Sequence, residues 1–121
     1  MISTSHNGSQ VQSERLYPFL LKMYSEEFIR NICLIKTDTE GHDHIILEDL
    51  HTALRPRFIW TEWFAGYKNG SPGHCTRRSK KLFQTIDGLG YQAYEPRLPL
   101  RRIKSCKNED YEKDLLLIKN A

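Results

Sequence analysis

"KTDTEGHDHIILEDL", residues 36–50, follows the apolar run Ile32-Cys33-Leu34-Ile35 and passes within a few positions into a helical pattern. A short, unbroken apolar run suits a strand covered on both faces, as the strands of a parallel sheet are. Residues 37–42 then read as a loop, with Gly41 as its flexible point. Over residues 43–54, Ile46, Leu50, Ala53 and Leu54 fall on one helical face. Asp43 lies in the first turn, where the helix dipole favours an acid, and Pro56 blocks continuation. The stretch therefore reads strand, loop, helix, with Asp38, Glu40, His42, Asp43 and His44 crowded into the connection.

The same grammar repeats outward. Leu16, Phe19, Leu20, Met23 and Phe28 predict a helix over 14–30, with Pro18 tolerated in the first turn. Residues 58–62 (FIWTE) predict a second strand, and 65–74 a glycine-rich loop. Leu82, Phe83, Ile86 and Leu89 predict a helix over 79–89 with Gly90 as its C-cap. A third strand follows at 91–95, then a basic loop over 96–112 with Pro96 and Pro99. Residues 114–119, built on Leu115-Leu116-Leu117-Ile118, close the sheet. Alternating helices and strands predict one α/β domain over 14–121 with a mostly parallel sheet, behind a polar tail at 1–13 expected to be disordered. Ligands of such sheets sit beyond the carboxyl ends of the strands. That rule selects the residues after Ile35 and those around Glu62.

At 121 residues the chain has room for one core, and 39% apolar with 27% charged residues is ordinary for a globular protein. No run reaches the roughly 18–20 apolar residues of a membrane-spanning helix, and the polar N-terminus lacks a secretion signal's apolar core. A cytoplasmic protein without membrane contact is the expectation. Cys33, Cys75 and Cys106 are widely spaced, which suggests neither a disulfide framework nor a zinc knuckle; Cys33 reads as a small buried hydrophobe. The net charge of +3 is unevenly spread: residues 77–107 hold nine Lys/Arg against Asp87 and Glu95, so the remainder is acidic. A basic stretch of this kind serves an anionic ligand or simply forms a solvated face.

For the crowded connection, residue types leave several chemistries open. His42 and His44 lack the spacing that puts two imidazoles on one helix face, so a zinc site is not expected; a single hard cation on Asp38 fits the donors better. No serine elbow or paired Cys/His offers a nucleophile. His51, further along the helix, reads as solvated. In the plain structural reading, Asp38 and Glu40 cap the following helix while Lys36 neutralises them.

"LIKTDTEGHDHIIL" closely resembles the "lKIDvEGaElevL" signature of FkbM-type methyltransferases, S-adenosylmethionine-dependent enzymes with a Rossmann-like fold. "RPRFIWTEW", "KKLFQTIDGLGYQAYE" and "YEKDLLLIKN" are similar to the family's later segments in the same order, so the resemblance covers roughly residues 30–120. Lys36, Asp38, Glu40 and Gly41 match the signature as they stand, and Glu62 matches its strand-end glutamate. Asp43 replaces the usual glutamate, and Thr37 and Thr39 replace apolar residues. The resemblance implies an antiparallel last strand, Asp38 and Glu40 as catalytic carboxylates, and Lys36, Asp38, Gly41 and Glu62 at the S-adenosylmethionine site. It also implies methyl transfer to an oxygen of a small-molecule or glycan acceptor.

No glycine-rich turn of the dinucleotide-binding kind precedes Ile32, where this fold holds its cofactor. The chain is therefore expected to be the C-terminal half of such a domain, binding the cofactor weakly or not at all by itself. The edge of strand 32–36 would then lie open. The helix at 14–30 covering it, pairing with a second chain that supplies the missing half or with another copy, and a truncated gene model are the three readings. A rival of another class is a non-catalytic module that uses the basic 77–107 region, with Trp63, Tyr67 and Tyr91 nearby, to hold an anionic partner such as RNA. No RNA-recognition signature supports it.

Overall fold

The computed structural model describes residues 2–4, 10–39, 42–64, 77–106 and 112–121. Strands β1 (Ile2–Thr4) and β2 (Gln10–Gln12) pair as an antiparallel ribbon inside the segment expected to be a structureless tail. The helix expected at 14–30 is two, α1 (Leu16–Met23) and α2 (Glu26–Arg30). Ser25 makes the break: its hydroxyl accepts the Phe28 N–H at 3.1 Å, and Glu26 and Glu27 occupy the first turn of α2. The apolar spacing hides this boundary; the capping serine marks it.

Next come β3 (Leu34–Lys36), α3 (Asp43–Glu48), β4 (Phe58–Phe64), α4 (Arg77–Leu89), β5 (Tyr91–Glu95), β6 (Arg101–Ile103) and β7 (Glu112–Lys119). The expected helix to Leu54 stops at Glu48, and the chain goes on in turns. There the Arg55 guanidinium donates to the carbonyls of Leu50, His51 and Leu54 at 3.1, 2.6 and 3.1 Å, taking up groups that a longer helix would have bonded internally. Leu47, Leu50 and Leu54 stay buried all the same. Gly90 ends α4 at φ 88°, the left-handed conformation its C-cap position requires.

The chain is α/β, but its five-stranded sheet, ordered β3-β4-β7-β5-β6, is mixed and mostly antiparallel rather than mostly parallel. Only β3 and β4 pair in parallel. β3, β4 and β5 do run the same way, because α3 and α4 return the chain each time; β7 then enters antiparallel between β4 and β5. It lies in the middle of the sheet instead of closing its edge, and the reason is composition. Leu115 and Leu117 are fully buried on one face, and Leu116 and Ile118 half-buried on the other, a demand only an interior strand meets. The basic loop expected at 96–112 likewise contains a strand, β6.

One row crosses the whole sheet: Ile35, Ile59, Leu117, Ala93 and Ile103 register side by side. This face carries the core. Leu47 of α3, Leu82, Phe83 and Ile86 of α4, and Ile29 of α2 pack into it. Trp63 meets Phe83 edge to face at 5.3 Å and donates its indole N–H to Ser79 at 3.0 Å. Cys33 is exposed and free, not a buried hydrophobe. Cys106 is buried and disulfide-bonded, which the cysteine spacing did not suggest. Among the described residues no helix is long and apolar enough to cross a membrane.

Candidate active site

Beyond the carboxyl end of β3 the chain turns sharply into α3, and Asp43 organises the turn. Its side chain is 2% exposed and accepts hydrogen bonds from three segments. The Thr37 and Thr61 hydroxyls reach Oδ2 at 2.6 and 3.0 Å, and the Glu62 N–H donates to the same oxygen at 2.9 Å. The Thr39 N–H donates to Oδ1 at 2.9 Å, and the Thr39 hydroxyl bonds there as well. Thr37 and Thr61 also lie 2.8 Å apart, so their hydroxyls form a pair beneath the carboxylate. Burial alone would raise the Asp43 pKa; the hydroxyls of Thr37 and Thr39 and the N–H groups of Glu62 and Thr39 outweigh it and hold the pKa at about 2. Among the described residues no cation pairs with this buried carboxylate, which is tolerable because nearly every lone pair is met.

This hub pins the tips of β3 and β4 to the start of α3. Residues on alternate sides of the pinned segment are therefore turned outward, and Lys36 and Asp38 are exposed on the wall of a cavity of about 700 Å³. The cavity opens between the start of α1, the tip of β3 and α3, and its size suits a small organic ligand. Ile35, Ile45 and Ile46 give it apolar walls. Asp38 accepts no hydrogen bond among the described residues, and the N-cap position of α3 is His42 with no side-chain cap. Asp38 therefore does not cap α3; the bond that ties this connection to the helix runs the other way, from the Thr39 amide to the carboxylate of Asp43 in the first turn.

Of the residues singled out from sequence, Lys36 and Asp38 come together at the cavity. Glu40 and Gly41 lie outside the described residues. Glu62 stands apart: it registers opposite Asp114 on β4 and β7, is not on the cavity wall, and serves the hub through its backbone N–H. Sequence reading missed the far wall. Tyr17 of α1 stacks on His51 with ring centroids 4.0 Å apart and planes 9° from parallel, and Arg15 pairs with Asp49 at 3.1 Å. His51 is fixed further by the Ala53 N–H, which donates to Nδ1 at 3.0 Å and leaves Nε2 as the protonated nitrogen of the neutral ring. Nothing in the local pattern links positions so far apart; only the fold of α1 over α3 does. No three His, Cys, Asp or Glu side chains converge as a metal site among the described residues.

The three departures from the methyltransferase signature meet at Asp43. Asp43 is shorter than the glutamate it replaces, and the hydroxyls of Thr37 and Thr39, which replace apolar residues, are among its donors. Comparison of the chain with family models, with curated proteins and with solved structures finds no match.

Proposed function

We propose that this chain is the C-terminal part of an FkbM-type, S-adenosylmethionine-dependent methyltransferase domain, transferring a methyl group to an oxygen of a small-molecule or glycan acceptor. The observation that carries the reading is the placement of Lys36 and Asp38 on a cavity at the carboxyl end of β3. The common direction of β3, β4 and β5 and the antiparallel last strand agree with it.

The residues present fit the cofactor in part. Lys36 and Asp38 border a cavity of suitable size with apolar and aromatic walls, whereas the chain holds no glycine-rich turn of the expected kind before β3. When bound, the cofactor supplies an electrophilic methyl group. The chain's own contribution is on the acceptor side: the Asp38 carboxylate takes a hydrogen bond from the acceptor hydroxyl, orients its oxygen and receives its proton. Lys36 offers donors to an anionic group. Asp43 acts through position, holding the segment that carries Asp38, and alignment of this kind is where most rate is gained.

The basic stretch gives the rival less. Glu95 engages Arg97 and Arg101 at 2.8 and 2.5 Å, and Glu48 engages Lys81 at 3.6 Å, so part of that charge is met within the molecule.

Nuclear magnetic resonance titration with S-adenosylhomocysteine tests the reading. Weak binding, with a dissociation constant above roughly 1 mM, is expected, with shifts confined to 35–39, 45–51 and the start of α1 and lost in Asp38→Ala. Shifts centred elsewhere, or none at about 10 mM ligand, would remove the cofactor from this cavity.

A further inference from the structure

We propose that the hairpin tip joining β5 to β6 is a membrane-contact site, where Leu98 and Leu100 enter the interface of an anionic bilayer and Arg97, Arg101, Arg102 and Lys104 engage its headgroups. Register brings these residues to one place. Glu95 pairs with Arg101 as the last rung of the β5–β6 ladder, so residues 96–100 form the connection and Leu98 lies at its apex. Leu98 is 87% exposed, more than any other large apolar residue described, and Leu100 is 43% exposed. A turn that faces only water favours glycine, asparagine, aspartate or serine; two leucines are the opposite choice.

The charge around the apex has one sign. From Pro96 to Lys104 there are four cations and no acid. Glu95 engages Arg97 and Arg101, yet their side chains keep 78% and 52% exposure. Arg102 and Lys104 are exposed and make no ion pair among the described residues. Protection of a sheet edge accounts for cations along β6. It does not account for leucines set among them at the apex.

That combination selects the occupant. Long cationic stems lie along apolar groups while their heads stay in the polar layer, and apolar side chains at a bilayer interface sink about 5–10 Å. Each cation near an anionic leaflet strengthens binding about fivefold. A five-residue tip cannot supply the roughly 800 Å² per partner of a stable protein interface. Single-stranded nucleic acid is held by aromatic stacking, and residues 95–106 contain no aromatic. A spanning helix is not needed, since surface contact takes only a short apolar element with a cationic rim. β6 is the edge opposite β3, so the tip stays accessible when the β3 side is completed. β5 runs in the direction of β3, so the tip and the cavity of Lys36 and Asp38 share one end of the sheet, and docking brings that end to the bilayer.

Co-sedimentation of the full chain with vesicles is the test, using phosphatidylcholine alone and phosphatidylcholine with about 30% phosphatidylserine. Half-binding is expected near about 1 mM lipid on the anionic vesicles, and at least about tenfold weaker on the neutral ones. Two double variants separate the parts, and all four side chains are exposed, so neither variant disturbs the core. Leu98→Ser with Leu100→Ser should weaken anionic binding at least about fivefold. Arg102→Gln with Lys104→Gln should cut the preference for anionic vesicles at least about fivefold. No binding at about 5 mM lipid, equal binding to both vesicle types, or binding unmoved by either pair overturns the proposal. Binding that survives loss of the leucines alone overturns it too, since charge would then be the whole attraction and a soluble polyanion or acidic protein the partner.

Discussion

Two carboxylates at opposite sides of the sheet are both held below their ordinary titration range, and they could hardly be held more differently. Asp43, under the tips of β3 and β4, is buried and among the described residues meets only neutral donors: three hydroxyls and two backbone amides. Glu95, at the end of β5, lies near the surface among cations. Hydrogen bonding from Arg101 lowers it most, against a smaller rise from burial, with Arg97 and Lys113 adding attraction. The direction of the shift is the same, but the worth is not. Fixed dipoles in a dry site are pre-arranged and unscreened, whereas flexible guanidinium groups at a surface lose most of their attraction to water and salt.

The largest consequence is expected at Asp43. Asp43→Ala removes the shared acceptor of five donors, leaving Thr37 able to turn to Thr61 but the Glu62 and Thr39 amides unmet, and should cost roughly 4 kcal/mol in urea unfolding. Asp43→Asn keeps the shape but turns a donor toward donors, and should recover less than half of that loss. The pH dependence follows from the sign of the shift. Asp43 titrates at about 2 in the folded protein against 3.8 as an ordinary aspartate. Its contribution, about 2 kcal/mol, is therefore present above pH 4 and is lost as pH falls from about 4 toward 2. Over that interval Asp43→Asn should show a shallower loss of stability than the wild type. Equal slopes would mean that Asp43 titrates alike in the folded and the unfolded protein.

A smaller effect belongs to the neutral bond beside the hub. Trp63, two residues beyond Thr61 on β4, donates its indole N–H to Ser79, and both are buried. Ser79→Ala leaves that N–H without its partner and should cost about 1–2 kcal/mol, with no change in pH profile. A pH-dependent penalty would show that Ser79 communicates with Asp43, and would enlarge the hub by one residue.

What the sequence disclosed differs between these places for physical reasons. Apolar spacing and apolar runs carried α4 and the strands β3, β4, β5 and β7, but not the short β1, β2 and β6: Leu82, Phe83 and Ile86 fall at the turns of a helix. The insertion of β7 between β4 and β5 has no local signature. It depends on which neighbours can bury Leu115 and Leu117 on one face and Leu116 and Ile118 on the other. At the site, Lys36 and Asp38 were legible from their place after a strand. Asp43 was legible only as an acid in a first helical turn, since its donors come partly from Thr61 and Glu62, far along the chain. Tyr17 and His51 carried no sign at all. Short-range chemistry is readable in sequence; the meeting of remote side chains is decided by packing.

Glu95→Gln supplies the smallest effect and the sharpest contrast. The substitution keeps a hydrogen-bond acceptor for Arg97 and Arg101 while removing the charge, so the fold should hold and the loss at low salt should stay well below that of any Asp43 variant. Because the folded-state pKa is lowered, the contribution is present at neutral pH and fades as pH falls through the folded value. Salt separates the two carboxylates more cleanly than acid does. At about 1 M salt the screening length is roughly 3 Å, shorter than the 4.0 Å between Lys113 and Glu95, and wild type and Glu95→Gln should converge in stability. The Asp43 penalty should persist unchanged in the same buffer, since hydroxyls and amides carry no net charge to screen. If the Asp43 penalty also collapsed with salt, a cation would have to lie behind that carboxylate, and the distinction between a dipole-held and a cation-held acid would fail.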